Sequence, residues 1–434
     1  MSDSSLDRFR GCLLGLAIAD ALAAPVEGLK QGHIKDLFGK IDTYVNPEIS
    51  RQNHPYRYLP SGVYTYNTQQ ALCLAESLVR CYGFNPEDFV RTMLQLWNAI
   101  PEFNTGAFRN ADPVFKAVLS KLATGLAPFQ AGETNAGIGA GARVAPVGLY
   151  FADDQDFLLK SAIEQALITN KDPRAIALSA SISYMVAQFA KGDWQNLKTN
   201  QQIDDLIQFT AQAEKTIEQE YIIHLPPRVY DFFNLFFRSI EPFRRWQGMP
   251  EELVFNQIVN LANQAFPPHK ITSPNQNFAL ASGISAIFIA ITAKNLATGI
   301  IDAINLGKET SSIGAITGAI LGAKFGETQI PETWRKGLKN YDQIALRSEA
   351  IIQKSSANLK IIPLVNLETD LTRLAIQERE KFVQKMIAQG EYDPQASLKK
   401  RLAKAQQPLT PKLKRSAKKS KLRRKKTPWR TWQD

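Results

Sequence analysis

The feature that most constrains the fold is a run of small residues within 305–326, where glycine recurs every fourth position at Gly314, Gly318 and Gly322. Residues four apart lie on one face of an α-helix, so these glycines form a smooth stripe that another backbone can approach closely. Each glycine inside a helix costs about 1 kcal/mol relative to alanine. Three in register therefore predict a buried helix whose close packing compensates for that cost.

A polar turn at 308–312 precedes this helix. Free N–H groups and the dipole at a helix N-terminus favour anions and polar ligands. The same pattern is typical of a capped, tightly packed core helix, and spacing alone favours that second interpretation.

Composition indicates a globular protein in a reducing, cytoplasmic setting. Apolar residues make up 44% of the chain and charged residues 21%, as in soluble globular domains. The odd set of Cys12, Cys73 and Cys81 lacks metal-type spacing and predicts buried thiols. The four histidines show no paired spacing, which argues against a His-rich metal site.

The net charge of +11 is concentrated at the C-terminus. Residues 399–434 carry 15 Lys or Arg and one acid, whereas the rest of the chain carries 37 basic and 40 acidic residues. The composition of 394–434 predicts a disordered Lys/Arg-rich tail. Such a tail would bind a polyanion (RNA, DNA or an anionic membrane) without reading sequence and with strong salt dependence.

The N-terminal apolar segment allows two interpretations. Arg8 and Arg10 precede an apolar run, as in a secretory signal. Asp20 lies within that run, and a carboxylate there would be costly to insert into a membrane. The pattern therefore favours a buried helix over about 8–23, with Asp20 facing something polar, and no transmembrane segment.

No segment shows sustained β-type alternation, so we predict an all-α fold. A compact helical domain is expected over 1–340, followed by a helical extension at 341–393.

A further Gly/Ala-rich patch at 132–149 brings backbone close to a ligand or to a helix. Arg143 within it would hold an anion or form a structural ion pair, and the sequence leaves both open.

Four patches in order, at 10–28, 65–68, 139–146 and 307–322, resemble the ADP-ribosylglycohydrolase family. The first is similar to R-G-x-L-L-G-L-A-x-G-D-A-L-G-x-P-x-E and the last to G-G-D-T-D-T-I-G-A-I-x-G-A-x-x-G. The resemblance covers about 8–335 and implies a compact orthogonal helical bundle. It also implies an enzyme that releases ADP-ribose with the help of two magnesium ions.

The chain departs from the family pattern at the positions that would hold those ions. The family's T-D-D-T is Thr65-Tyr66-Asn67-Thr68 here, and its D-T-D-T is Glu309-Thr310-Ser311-Ser312. Four aspartates are thereby reduced to one carboxylate. Magnesium prefers oxygen ligands with carboxylates among them, so no cofactor is expected, although a single weakly bound Mg²⁺ stays open. The degenerate metal positions are Thr65, Tyr66, Asn67, Glu309, Ser311 and Ser312.

The family positions that survive suggest a pocket for an ADP-ribosyl or nucleotide group. The ligand-binding candidates are Asp20, Glu27, Thr65, Asn67, Gly139, Arg143 and Ser312, and the catalytic candidates are Glu27 and Glu309. Two hypotheses follow from the resemblance. The chain is a catalytically degenerate binding or scaffold protein, or it is a hydrolase of ADP-ribosyl or related glycosidic bonds that uses Glu27 or Glu309 as general base.

Overall fold

The structure, a computed structural model, describes residues 3–396. Within that range the regular structure is helical, and β-type pairing is limited to isolated bridges between Lys30 and Gly307 and between Glu133 and Asn170. The prediction of an all-α fold is confirmed. The tail predicted over 394–434 lies almost entirely outside the described residues.

The α-helices of residues 3–396 are α1 (Asp3–Ala23), α2 (Gln31–Phe38), α3 (Pro47–Arg51), α4 (Tyr66–Cys81), α5 (Pro86–Asn98), α6 (Pro113–Ala123), α7 (Gly139–Arg143), α8 (Ala145–Tyr150), α9 (Gln155–Leu167), α10 (Pro173–Lys191), α11 (Thr199–Glu220), α12 (Leu235–Ile240), α13 (Phe243–Trp246), α14 (Glu251–Gln264), α15 (Ile284–Thr292), α16 (Leu296–Ile304), α17 (Thr310–Phe325), α18 (Glu332–Gly337), α19 (Tyr341–Gln353) and α20 (Leu364–Ala388). A π-helical turn at Ala279–Gly283 leads into α15. Short 3₁₀ turns lie at Ala24–Val26, Pro55–Arg57, Pro128–Gln130, Ile222–His224, Pro227–Phe232 and Glu327–Gln329.

The core is organised around the crossing of α1 and α17, where the two backbones touch. A Cβ atom on Gly15 would lie 2.3 Å from the carbonyl oxygen of Gly318, and one on Gly322 would lie 1.9 Å from that of Gly11. No side chain fits between carbonyls at such distances, so the glycine stripe is required by sterics. The close packing predicted for this helix is therefore present, and its partner is α1.

Several helices begin at an Asp or Asn that is followed by proline. The side chain accepts a hydrogen bond from the first turn, and proline pre-sets the helical φ without wasting a donor. These capping residues are Asn46, Asn85, Asp112 and Asp172. Thr65 caps α4 in the same way, and the helix begins at Tyr66. The apolar face shared by Ala71, Leu72, Ala75 and Leu78 predicts a start near Thr68, two residues later. The glycines and prolines within 28–62 predict a loop-rich stretch, and the structure places the short helices α2 and α3 in it.

Residues up to Lys381 form one compact unit, and a second unit begins at Phe382. Glu368 on α20 is completely buried in the first unit and pairs with Arg109 at 2.7 Å. It also accepts hydrogen bonds from the Tyr64 hydroxyl at 2.5 Å and from Gln69 Nε2 at 2.9 Å. This network fastens α20 to the start of α4, whereas the domain limits drawn at 340 and 393 stay predictions.

One segment of the described chain, Ser4–Val26, is long and apolar enough to cross a membrane by length and composition. In the structure 94% of its most apolar window is buried inside the protein. The segment is α1 with the turn that follows it, and it packs as the central helix of the core.

Candidate functional site

Asp20, near the end of α1, binds the first turn of α4. Its carboxylate accepts hydrogen bonds from the N–H and hydroxyl of Thr65 at 2.9 and 2.8 Å, and from those of Thr68 at 3.2 and 2.7 Å. Complete burial nevertheless raises the pKa of Asp20 to about 6, because removal from water penalises the charged form more than these donors favour it. Asp20 therefore positions α4, and both its oxygens are engaged within the protein.

Glu27 has the same relation to α17. Its Oε2 accepts hydrogen bonds from the Ser311 N–H at 2.6 Å and from the Thr310 hydroxyl at 3.0 Å. A carboxylate in this position is stabilised by the free N–H groups and the dipole of the helix. The N-terminal helix and the turn after it thus supply the acid that anchors each of the two helices that begin at the site.

The first turns of α4 and α17 lie side by side. The Nδ2 of Asn67 lies 3.3 Å from the hydroxyl oxygens of both Thr65 and Ser312. Two buried oxygens at this junction, Asn67 Oδ1 and Ser311 Oγ, have no hydrogen-bond partner among the described residues. Buried polar atoms are nearly always satisfied, so these two oxygens mark a place where the protein has spare hydrogen-bonding capacity.

Tyr66 closes the cleft next to this junction. Its hydroxyl donates to Asp112 Oδ2 at 2.6 Å, and its ring packs 5.5 Å from that of Phe115. The enclosed volume is about 20 Å³, which is room for about one water molecule. Any larger ligand requires side chains of the cleft to move. The cleft is lined by Tyr66, Gln70, Asp112, Val114, Phe115, Asn135, Gly137, Gly139, Arg143, Thr169, Asn170 and Asn277.

Arg143 lies at this cleft, but its guanidinium is held by neutral acceptors rather than by an anion. It donates to Gln70 Oε1 at 2.9 Å, to Gln165 Oε1 at 2.8 Å and to Thr169 Oγ1 at 2.8 Å. Burial lowers the pKa of Arg143 to about 9. Within the described residues no acid lies at ion-pair distance from Arg143, so the structural ion pair that the sequence left open is not formed there, and neutral hydrogen-bond acceptors hold the side chain.

Gly139, the first residue of α7, borders the same cleft, and a Cβ atom added there would meet no atom within 4 Å. Asn170 donates to the Asn135 carbonyl at 2.9 Å and accepts from the Thr169 hydroxyl at 2.7 Å. Sequence reasoning missed Asn135, Asn277 and Asp112 as lining residues. For Asp112 the Asp-Pro capping signal was visible, but it indicates a helix start rather than a cleft.

Glu309 lies partly buried just before α17. Burial raises the pKa of Glu309 to about 8, and the carboxylates of Glu27 and Asp112 add to the effect, whereas Arg57 and Lys308 oppose it. Each neighbouring negative charge disfavours a further one. Burial and the neighbouring acids therefore favour the protonated form of Glu309, although the residue matches a metal-ligand position of the family pattern.

Across residues 3–396 no group of three or more His, Cys, Asp or Glu side chains is placed to hold a metal ion. Between the first turns of α4 and α17 the side-chain oxygens belong to the neutral residues Thr65, Asn67, Ser311 and Ser312. The acids that reach these turns, Asp20 and Glu27, are engaged by backbone N–H groups and hydroxyls of the turns. A donor set of this kind supplies little of the negative charge that a divalent hard cation requires.

Comparison with known proteins agrees with the geometry. Residues 1–359 match the family described as ADP-ribosylglycohydrolase. The chain is 27% identical over 334 residues to an uncharacterised protein of Archaeoglobus fulgidus, covering 77% of this chain and 92% of that one. It is 25% identical over 358 residues to ADP-ribosylhydrolase ARH3 of Gallus gallus, covering 77% and 90%. It is 22% identical over 351 residues to ADP-ribosylarginine hydrolase Tri1 of Serratia proteamaculans, covering 80% and 79%.

Among solved structures, the fold is similar to that of a chain described as an ADP-ribosylglycohydrolase-related protein complex. The TM-score is 0.56 at 25% identity, with 82% of this chain and all of the other covered. The four patches, the helical architecture and the match over 1–359 are consistent with one another. The chain belongs to the ADP-ribosylglycohydrolase family.

Proposed function

We propose that this chain binds an ADP-ribosyl or nucleotide group without a pair of magnesium ions and has lost the metal-dependent hydrolysis of its family. The observation that carries the proposal is the junction of α4 and α17. There Asn67 is hydrogen-bonded to Thr65 and Ser312, and Ser311 stands where the family pattern has a second carboxylate. The oxygens that would surround the metals are thus mostly neutral.

Electrostatics supports this reading. Two magnesium ions in an active site lie about 3.5–4 Å apart and repel each other unless anions surround them. Burial and neighbouring acids raise the pKa of the remaining acid, Glu309, which disfavours its charged form. Glu27 is already engaged by the first turn of α17, and Asp112 accepts from Tyr66. These residues do not fit a dinuclear magnesium centre.

Retained binding is supported by the unpartnered oxygens of Asn67 and Ser311 and by the open space beside Gly139. The names of two relatives, ADP-ribosylhydrolase ARH3 and ADP-ribosylarginine hydrolase Tri1, indicate the class of ligand. The cleft must widen to take such a group. The hydrogen bond between Tyr66 and Asp112 is the contact that holds it closed.

Removal of the Tyr66 hydroxyl is therefore expected to strengthen binding. In Tyr66→Phe the closed cleft loses one hydrogen bond worth about 1 kcal/mol, so the affinity for ADP-ribose should rise about fivefold. Calorimetric titration should give the same affinity with magnesium and with EDTA. Tyr341→Phe, which removes a hydroxyl bound to Glu327 far along the chain, is the matched control and should leave the affinity unchanged. Absence of binding in all three proteins would overturn the proposal.

A second candidate function is hydrolysis without metal, and Glu309 is the observation that favours it. A carboxylic acid whose pKa is raised can donate its proton to a leaving group, while a neighbouring carboxyl group such as that of Glu27 assists a water molecule. This function requires release of ADP-ribose from an ADP-ribosylated arginine peptide in EDTA, and loss of that release in Glu309→Gln. A wild-type protein without turnover would exclude it.

Glu309→Gln also tests the charge state directly. The pKa of Glu309 lies near 8 in the folded protein and near 4.5 in the unfolded chain, so the folded state binds the proton more tightly. The associated stability is fully present below about pH 4.5 and is lost as pH rises through 8. One pKa unit corresponds to about 1.4 kcal/mol of unfolding free energy. The partial exposure of Glu309 reduces the contribution that its raised pKa makes to stability.

Between pH 5 and pH 8 we therefore expect the wild type to lose about 2 kcal/mol of unfolding free energy relative to Glu309→Gln. Denaturant titrations of both proteins at the two pH values measure this difference. Glu332→Gln, an exchange on the exposed helix α18, serves as the control. Parallel pH profiles of wild type and Glu309→Gln would show that Glu309 is ionised in the folded protein.

We also propose that the protein is cytoplasmic and that its basic segment 399–434, outside the described residues, binds a polyanion. The support is compositional, since 15 cations with one acid release counterions from any nucleic acid or anionic surface. A chain without 394–434 that retains the same salt-sensitive binding to RNA and to anionic vesicles would contradict the second part.

A further inference from the structure

Lys308 has a backbone conformation that disfavours a side chain. Its φ is +60°, in the left-handed region where glycine is the default residue. The surroundings impose this conformation, because Lys308 N–H donates to the Leu29 carbonyl at 2.5 Å and Gly28 N–H donates to the Lys308 carbonyl at 2.8 Å. The matching position of the family pattern is glycine. Strain of this kind is often retained for function.

The Lys308 ammonium lacks a carboxylate partner. Its Nζ donates to Thr272 Oγ1 and Gln276 Oε1, both at 3.0 Å, and these acceptors are neutral. No carboxylate within residues 3–396 is paired with it inside 4 Å. Its contact with Gln276 places Lys308 beside Asn277, which lines the cleft.

Two more cations lie next to Lys308. Lys30 is on the segment that bridges to Gly307, and its charge, after burial, contributes to lowering the pKa of Lys308. An Arg57 guanidinium nitrogen lies 3.2 Å from the position that a Cβ atom on Gly28 would occupy. Within the described chain, neither Lys30 nor Arg57 has an acidic oxygen inside 4 Å of its charged nitrogen atoms.

Of the acids near these cations, Glu309 interacts with Arg57 and Lys308, but burial and the neighbouring carboxyl groups raise its pKa to about 8 and favour its neutral form. The other two acids have partners elsewhere. Glu27 is engaged by the first turn of α17, and Asp112 by Tyr66 and by the first turn of α6. The hydroxyl of Ser311, buried at the same place, has no partner within the described chain. The three cations and this unused hydroxyl therefore lie near the start of α17, and Lys308 reaches Gln276, the neighbour in sequence of the cleft residue Asn277.

We propose that Lys308, Arg57 and Lys30 form an anion subsite that takes a phosphate group of the ligand bound in the cleft. The inference rests on the proposed binding of an ADP-ribosyl group and narrows it to compounds that carry a phosphate monoester on the ribose. A phosphate dianion accepts from several donors at once and matches a cluster of lysine and arginine side chains. In this proposal the positive charges of Lys308, Arg57 and Lys30 take the place of the magnesium charges that the family pattern implies.

The test compares ADP-ribose with ADP-ribose 1″-phosphate at constant ionic strength, because salt screens both ligands. Wild type is expected to bind the phosphorylated compound at least tenfold tighter than ADP-ribose. Inorganic phosphate should weaken binding of the phosphorylated compound and leave binding of ADP-ribose unchanged. Lys308→Gln keeps the strained backbone but removes the charge, so the preference should fall below threefold. Lys308→Gly should lose the preference and also melt about 2 °C higher, because glycine relieves the strain.

Lys354→Gly is the matched control, since Lys354 also has a left-handed backbone, with a φ of +50°, and follows α19. Lys354→Gly should melt at a higher temperature and keep the wild-type preference for the phosphorylated ligand. Equal affinity of wild type for the two ligands would overturn the subsite while leaving ADP-ribose binding intact. No binding of either ligand would overturn both proposals. An undiminished preference in Lys308→Gln would assign the phosphate to other residues and also overturn the subsite.

Discussion

Replacement of Gly318 by alanine is expected to lower the free energy of unfolding by at least about 3 kcal/mol. The new Cβ atom would lie 2.2 Å from the carbonyl oxygen of Gly15 and 2.8 Å from the Cβ of Ala19. Both obstacles belong to the backbone or to a side chain without rotamers, so α1 and α17 would have to separate. Denaturant unfolding followed by circular dichroism measures the loss.

Gly32→Ala is the control for this substitution. Gly32 lies in the exposed helix α2, and an added Cβ atom would meet nothing within 4 Å. Alanine restricts the unfolded chain and suits a helix better, so this variant should gain about 0.5 kcal/mol. A Gly318→Ala protein as stable as the wild type would mean that the two helices do not touch through their backbones.

Glu368→Ala is expected to destabilise the protein by about 3–5 kcal/mol. The substitution leaves the guanidinium of Arg109 buried without its carboxylate and removes the acceptor of Tyr64 and Gln69. A buried charge that loses its partner keeps its full desolvation cost. Because Tyr64 and Gln69 flank the first turn of α4, the loss should also weaken ligand binding in the cleft.

The exposed ion pair between Glu332 and Lys336 at 2.6 Å provides the comparison. Solvent screens an exposed pair, so Glu332→Ala should change the unfolding free energy far less than Glu368→Ala does. Similar losses in the two variants would indicate that water reaches Arg109. A double variant, Arg109→Leu with Glu368→Leu, should recover part of the stability, since no charge is then left unpaired.

The fold could be predicted from local patterns because short sequence segments contain the signals for its main helices. The glycines of α17 demand a close neighbour, and Gly11 and Gly15 in α1 provide it. The Asp-Pro and Asn-Pro pairs mark helix starts through capping, which is a local interaction. The exact start of α4 was missed by two residues, since an N-cap threonine and a first-turn threonine look alike in sequence.

The contacts of the candidate site could not be predicted, because they join residues that are distant in sequence. Arg143 was recognised as a possible anion ligand, yet its partners Gln70 and Gln165 carry no signal of their own. Glu368 resembles any polar residue of an amphipathic helix until Arg109 is placed against it. Lys308 was visible as a charge, whereas its left-handed backbone depends on pairing with the segment near Leu29.

The contact between α1 and α17 through their glycines lies away from the candidate site at the start of α17. Gly318 stands seven residues beyond Ser311 on α17, which is about 10 Å along the helix axis. Substitutions that far apart generally act independently. Mutational drift could therefore exchange carboxylates for neutral or basic residues at one end of the helix while purifying selection preserved the other end. A lineage with this architecture can change its ligand without having to evolve a new fold.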